Sequence, residues 1–263
     1  MKVLKKIYLI IIFVFLYAPV LTLIVFSFND SKSRGHWGGF TLKWYGQLFK
    51  DRQVMSSLYN TIIIALLSAL VATVAGTAAA VGIHNMKKVQ KSFVMNLTYL
   101  PVVSPDIVTG ISLMILFVFI RLDLGFTTLL LAHITFNIPY VVLSVLPKLK
   151  QLNKHMYEAA LDLGAKPLYA FFRVILPEIM PGVVTGFLLA FTLSLDDFII
   201  SFFTTGSGVS TLSITIYSMA RLGISPKINA LSALMFIVVL VLLLIVNKRS
   251  TVNGRNEAPL INI

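Results

Sequence analysis

Residues 7–28 read Ile7-Tyr-Leu-Ile-Ile-Ile-Phe-Val-Phe-Leu-Tyr-Ala-Pro-Val-Leu-Thr-Leu-Ile-Val-Phe-Ser-Phe28, without one charged side chain, directly after Lys2, Lys5 and Lys6. A helix that crosses a bilayer needs about 20 consecutive, mainly apolar residues, and this run supplies them. The apolar core of a cleaved leader is only about 7–15 residues long. No small-x-small cleavage pattern follows Phe28, so the run is expected to stay as a span. Working outward, comparable apolar stretches occur at 58–83, 93–120, 124–147, 182–203 and 228–246. None alternates polar and apolar residues as a membrane strand does. A lone segment in lipid must satisfy its own backbone, which only a helix does. The expected fold is therefore all-α: a polytopic membrane bundle of six transmembrane helices in one domain, 1–263.

Composition agrees. Of 263 residues, 57% are apolar and 12% charged, and the mean hydropathy is +0.90. Soluble domains carry about twice that share of charge. The net charge of +12 would suggest nucleic acid in a soluble chain. Here the basic residues sit between apolar runs, as they do when basic loops set membrane orientation, so no nucleic acid is expected. Lys and Arg are denser in the segments on the N-terminal side (1–6, 84–92, 148–181 and 247–263) than on the other side. By the positive-inside rule both termini are cytoplasmic. The chain has no cysteine, which excludes disulfides and thiolate metal sites.

Several chemistries lack their residues. No Gly-Lys pair exists, so the phosphate cradle G-x-x-x-x-G-K-[ST] is missing. His36, His84, His133 and His155 are scattered, with no H-E-x-x-H and no metal site expected. Thr205-Gly206-Ser207-Gly208 shares its Gly-Ser-Gly with serine intramembrane proteases but lacks the first glycine of that pattern; it reads as a turn. Catalysis by this chain alone is not expected.

The longest inside loop, 148–181, carries the most information. Asn153 is a candidate N-cap, Lys154 and Glu158 share a face at i,i+4, and Gly164 suits a left-handed stop. Pro167 opens a second short helix through Leu176, and Pro177 and Pro181 are expected to return the chain to the membrane. Ala159 and Ala160 keep one face of the first helix slim, with Glu158 and Asp162 beside them. A slim helix sinks into a groove, and its acids pair with basic groups on the rim.

Glu158-Ala159-Ala160, then Gly164, then Val174-Ile175-Leu176-Pro177 resembles the EAA motif of the permease subunits of bacterial ABC importers, E-A-A-x3-G-x9-I-x-L-P, with valine in place of the first isoleucine. Phe40–Tyr45, Ser104–Ile107, His133–Phe136, Phe191–Asp197 and Ile216–Met219 resemble the spermidine/putrescine permeases within that group. The resemblance implies a type I ABC importer fold in the bacterial inner membrane. It also implies a coupling helix bearing Glu158, Ala159, Ala160, Asp162 and Gly164. The partners it implies are a second, homologous permease, two ATPase subunits that hold ATP and Mg, and a periplasmic polyamine-binding protein. No cofactor is expected on this chain itself.

The residues point the same way. Asp at a helix centre costs about 2.5–3.5 kcal/mol, yet Asp106, Asp196 and Asp197 lie inside apolar stretches. Measured along continuous helices, all three fall roughly 20 Å in. Gly182, Gly186, Ala190 and Ser194 recur every four residues, as on a tightly packed face. Asp197 lies near that face and Asp196 points away, which leaves open which of them lines a path. Separated carboxylates with aromatic walls suit a chain of ammonium groups, and Trp44 and Tyr45 are candidates for an entrance. Iron is the alternative cargo, and a membrane enzyme with a catalytic Asp pair the alternative class. Three acids argue against an anionic cargo such as sulfate.

Overall fold

The computed structural model describes residues 2–31, 36–223 and 226–255. The charge-free N-terminal run forms a single helix, α1 (Lys2–Phe26), through Pro19. Its large apolar side chains are exposed, Phe15 at 79% and Tyr8 at 66%. Apolar surface on this scale is stable against lipid, not water. The remaining helices are α2 (Lys43–Lys50), α3 (Arg52–Asn85), α4 (Lys88–Val103), α5 (Asp106–Phe119), α6 (Phe126–Gln151), α7 (Lys154–Asp162), α8 (Pro167–Ala170), α9 (Leu176–Asp196), α10 (Ile199–Thr204), α11 (Leu212–Leu222) and α12 (Pro226–Arg255). A π turn, Phe171–Ile175, joins α8 to α9.

Each of the six expected stretches falls on helix, but two are broken. Among the described residues, four helices are long and apolar enough to cross a membrane, and the bent pair α4–α5 is apolar enough to count as a fifth if the two helices are taken as one broken span. The apolar part of α12 described in full, Pro226–Val241, is shorter than a span. The stretch 93–120 is not one helix: it turns by 107° between α4 and α5. Pro105 pushes Ser104 into extended backbone (φ −70°, ψ 144°). The stretch 182–203 breaks at Asp197, also extended (φ −61°, ψ 131°).

The chain packs as two compact units. One comprises Met1–Tyr59 and Leu212–Leu242. Its core is Trp44, Leu48, Val54, Leu212, Ala230 and Leu231. Buried Asn29 pins the preceding loop, donating to the carbonyl of His36 at 2.9 Å and accepting from Gly38 N–H at 2.8 Å. Asp51 and Lys227 pair between the start of α3 and the start of α12.

The other unit holds Asn60–Thr211, with α6 at its centre. The stripe Gly182, Gly186, Ala190 and Ser194 is wholly buried. A Cβ on Gly182 would stand 2.9 Å from the Ser144 carbonyl, and one on Gly186 3.2 Å from Val141 Cα, so α9 and α6 touch almost backbone to backbone. The second stripe, Ala72, Gly76 and Ala80 of α3, meets α6 at the same level: a Cβ on Gly76 would lie 2.7 Å from Val141 Cβ. Small residues allow such approach where no hydrophobic force drives helices together in lipid.

Candidate functional site: a docking hairpin and two broken helices

The loop 148–181 folds as helix, glycine turn, helix. Asn153 caps α7, its Oδ1 accepting from His155 N–H at 3.0 Å. Gly164 holds φ at +85°, a conformation costly for any residue with a Cβ. Ala165 N–H then reaches back to the Ala160 carbonyl at 3.1 Å, and Pro167 opens α8. Glu158 meets His155 at 3.3 Å; the Lys154 side chain lies outside the described residues. Pro177 and Pro181 stand within helix at the start of the span. Pro167–Asp196 runs as one apolar helix, because the π turn shifts the hydrogen-bond register just before Pro177, whose ring has no N–H to place. The second arm of the hairpin is therefore continuous with the span that follows.

Its outer surface suits a partner. Glu158, Ala159, Asp162 and Gly164 are exposed and Ala160 half-buried. Beside them stand Leu163 at 90% exposure and Leu168 at 74%. A shallow depression between the two short helices is lined by Ala160, Gly164, Lys166 and Tyr169, among others.

The three intramembrane aspartates all sit at helix breaks, not at helix centres. For Asp106 that corrects the depth measured along one unbroken helix, whereas Asp196 still ends a continuous α9. Asp106 is the first residue of α5 and is exposed, where the helix dipole favours an anion. One turn later, Gly110 packs on the start of α10: a Cβ there would stand 3.5 Å from the Ile199 carbonyl and 3.1 Å from the Phe203 ring. The break before α5 and the break before α10 are thus neighbours. Tyr140 of α6 lies within electrostatic reach of Asp106 and meets the Phe136 ring at 5.2 Å, tilted by 59°.

The two adjacent acids at the second break have different surroundings. Asp196 is exposed. Asp197 turns inward, its side chain 8% exposed. Its carboxylate accepts the N–H of Ser201 at 2.7 Å and of Ile200 at 3.3 Å, closing over the first turn of α10. Beside it lies His133 of α6, almost wholly buried, with Nε2 3.6 Å from Asp197 Oδ2 and 3.0 Å from Ser201 Oγ. On the other side of the ring, Nδ1 lies 2.5 Å from Ser194 Oγ. Ser194 also contacts Ser68 of α3 at 3.1 Å, and Asn137 Nδ2 donates to Ser68 at 3.3 Å. A buried polar seam thus joins α3, α6, α9 and α10.

Trp44 is not an open aromatic surface. Its ring is 5% exposed, its indole N–H donates to the Asn29 carbonyl at 2.7 Å, and its face already receives the Lys43 ammonium at 4.8 Å. The Tyr45 hydroxyl is engaged with Ser27 at 2.7 Å. Both build the core of their unit, because an amphipathic α2 buries its apolar face there. The aromatic group within electrostatic reach of a carboxylate is instead Tyr140. His133, Asn137 and Ser68 also escaped sequence reasoning, since a lone polar residue in an apolar run carries no periodic signal. The Gly206–Gly208 segment is a turn: both glycines have positive φ, and Ser207 is exposed.

A helical membrane bundle with two apolar helices broken at acidic residues and an exposed helical hairpin is the architecture of a membrane transport subunit. Residues 72–248 match the family described as the binding-protein-dependent transport system inner membrane component. The chain belongs to that family and is a multi-pass component of the inner membrane. It is 43% identical over 230 residues to the putrescine transport system permease protein PotI of Escherichia coli strain K12, covering 84% of this chain and 82% of that one. It is 40% identical over 233 residues to the spermidine/putrescine transport system permease protein PotC of the same strain, covering 89% and 88%. The PotC of Haemophilus influenzae is 35% identical over 242 residues, covering 92% and 94%. Among solved structures, a bacterial ABC transporter involved in import of the acidic polysaccharide alginate superposes with a TM-score of 0.70, at 22% identity, over 98% of this chain and 96% of that one.

Proposed function

We propose that this chain forms half of the pathway by which an ATP-driven importer carries polyamines such as spermidine or putrescine across the inner membrane. The other half is a second permease of similar fold. Two ATPase subunits, each holding ATP and Mg, drive the pair, and a periplasmic binding protein delivers the cargo. Both termini lie in the cytoplasm. The observation that carries the reading is the exposed α7–α8 hairpin, continuous with a span that ends at an acidic helix break. A push on Glu158–Gly164 moves α9 as a rod and so moves the break bearing Asp196 and Asp197. Relatives named for putrescine and spermidine transport support the cargo.

The chemistry fits such a cargo. A polyamine presents ammonium groups along a flexible chain. Asp106 and Asp196 offer carboxylates at two neighbouring breaks, and Tyr140 offers a ring face beside the first. Irregular backbone at membrane depth survives where protein buries it or where it borders a watery path, and broken helices recur at transport sites. Binding there must stay weak enough for release.

The test is uptake of radiolabelled spermidine and putrescine by the reconstituted complex, comparing wild type with Glu158→Lys. Reversing the charge on the docking face is expected to abolish uptake and loosen the ATPases while the permease still inserts. A complex that hydrolyses ATP but accumulates neither polyamine sinks the cargo assignment. Normal uptake by Glu158→Lys sinks the docking assignment.

A further inference from the structure

We propose that His133 is a positioning residue for transport: its ring bridges the break between α9 and α10 and so fixes the backbone that presents Asp196. The proposal deepens the transport reading above and rests on it for the role of Asp196. The geometry is specific. One ring nitrogen meets Ser194 before the break at 2.5 Å, and the other meets Ser201 after it at 3.0 Å. A single side chain from α6 thus ties together two positions that the broken helix no longer connects.

The tie is needed because α10 has only six residues, far too few to hold helical form alone. Its Ile200 is buried against Phe117, Ala132 and Phe136, which supplies contact but little direction. Direction comes from the polar groups. Asp197 is drawn inward onto the N–H groups of Ile200 and Ser201 and toward His133. Asp196, its neighbour in sequence, is thereby turned to the outside, where it is exposed. Either tautomer of a neutral ring serves, because each serine hydroxyl donates or accepts as required. An apolar ring of similar size fills the space but ties neither side, which separates positioning from packing.

The chain has no natural cysteine, so single-cysteine labelling is free of background on it. The experiment uses the full complex in proteoliposomes, with Ile200→Cys as a reporter of α10 docking and uptake of radiolabelled spermidine as a reporter of transport. His133→Phe is expected to raise the labelling rate of Cys at position 200 about tenfold, the effect of one or two lost buried hydrogen bonds. Maximal uptake is expected to fall, with assembly and basal ATP hydrolysis unchanged. His133→Gln, whose amide donates and accepts, is expected to keep the site protected and restore most uptake. Ser201→Ala, the mildest change, gives a smaller rise, and adding it to His133→Phe gives no further one, since both remove the same tie. Protection of position 200 in His133→Phe, equal losses in the Phe and Gln variants, or additive effects with Ser201→Ala would each overturn the proposal. Wild-type uptake by Asp196→Asn is a separate result: it removes Asp196 from the path while the labelling still reports on the tie.

Discussion

Asp197 and Asp196 are expected to answer differently to the same substitution, and the structure sets the size of the difference. Asp197→Ala removes the acceptor of a 2.7 Å bond from Ser201 N–H, in a residue with no exposed surface, and of a weaker 3.3 Å bond from Ile200 N–H. A buried donor left unpaired costs about 1–3 kcal/mol, and loss of a helix cap typically costs about 1 kcal/mol. These describe one event, so the expected cost is about 2 kcal/mol, roughly a thirtyfold increase in local opening of α10. Asparagine caps about as well as aspartate, so Asp197→Asn should open α10 no more than a few-fold. Asp196 is exposed, and Asp196→Asn should change stability by less than about 0.5 kcal/mol. Two measurements separate the roles: hydrogen exchange of the α10 amides in the assembled complex, and polyamine uptake. Exchange should rise in Asp197→Ala alone, and uptake should fall in Asp196→Asn but not in Asp197→Asn. If Asp197→Asn lost uptake as completely as Asp196→Asn with α10 still protected, the Asp197 charge itself would be a cargo contact, and the division of roles would be wrong.

Two further predictions concern the scaffold. Gly182→Ala places a Cβ 2.9 Å from a backbone carbonyl; overpacking of about 1–3 kcal/mol outweighs the helix gain of about 1 kcal/mol. Gly82→Ala in α3 meets nothing within 4 Å and should stabilise by about 0.5–1 kcal/mol. Thermal unfolding of the purified chain should therefore move in opposite directions, and a matching shift would refute the close α6–α9 contact. The Asp51 carboxyl is held below its ordinary value chiefly by its hydrogen bond to Lys227. A depressed carboxylate contributes stability above its unfolded pKa, near 3.9, that is lost as pH falls through the folded value. Lys227→Met should therefore destabilise at pH 7, with a deficit that shrinks as pH falls below about 4 and disappears only once the pH is below the depressed folded value; a deficit that does not shrink in acid would refute the linkage.

What was legible in the sequence follows from which signals repeat. Apolar runs marked the helices because length and lack of charge are properties of a whole segment. Gly182, Gly186, Ala190 and Ser194 marked a tightly packed face because small residues at a spacing of four have few other uses; that the partner is α6 came from the structure. Asn153, Gly164 and Pro167 placed the hairpin because each suits one local backbone state. The breaks were harder. Pro101 and Pro105 both stand in the third stretch, yet only the second interrupts it: α4 passes through Pro101 and ends at Val103. Pro177 and Pro181 stand within continuous helix. A proline says where a helix is able to break, and tertiary packing decides whether it does. The break at Asp197 has no proline or glycine at all. There the Asp197 carboxylate takes over the first N–H groups of α10, and His133, some sixty residues away in sequence, ties the serines on either side of the break.

The same reasoning bears on how cargo is encoded. A structure that superposes at a TM-score of 0.70 belongs to a transporter involved in import of an acidic polysaccharide, whereas the proposed cargo here is a polycation. A shared fold across cargoes of opposite charge means that the fold by itself does not specify the substrate. Selectivity must then reside in side chains that can change without disturbing that fold. Asp106 and Asp196 qualify: both are exposed, and both stand at helix breaks, where substitution costs no interior helix packing. Asp197 and His133 do not qualify, because removing either leaves buried donors or acceptors unpaired. A change of cargo by substitution should therefore succeed at positions 106 and 196 and not at 133 and 197, where it disturbs only the α9–α10 break.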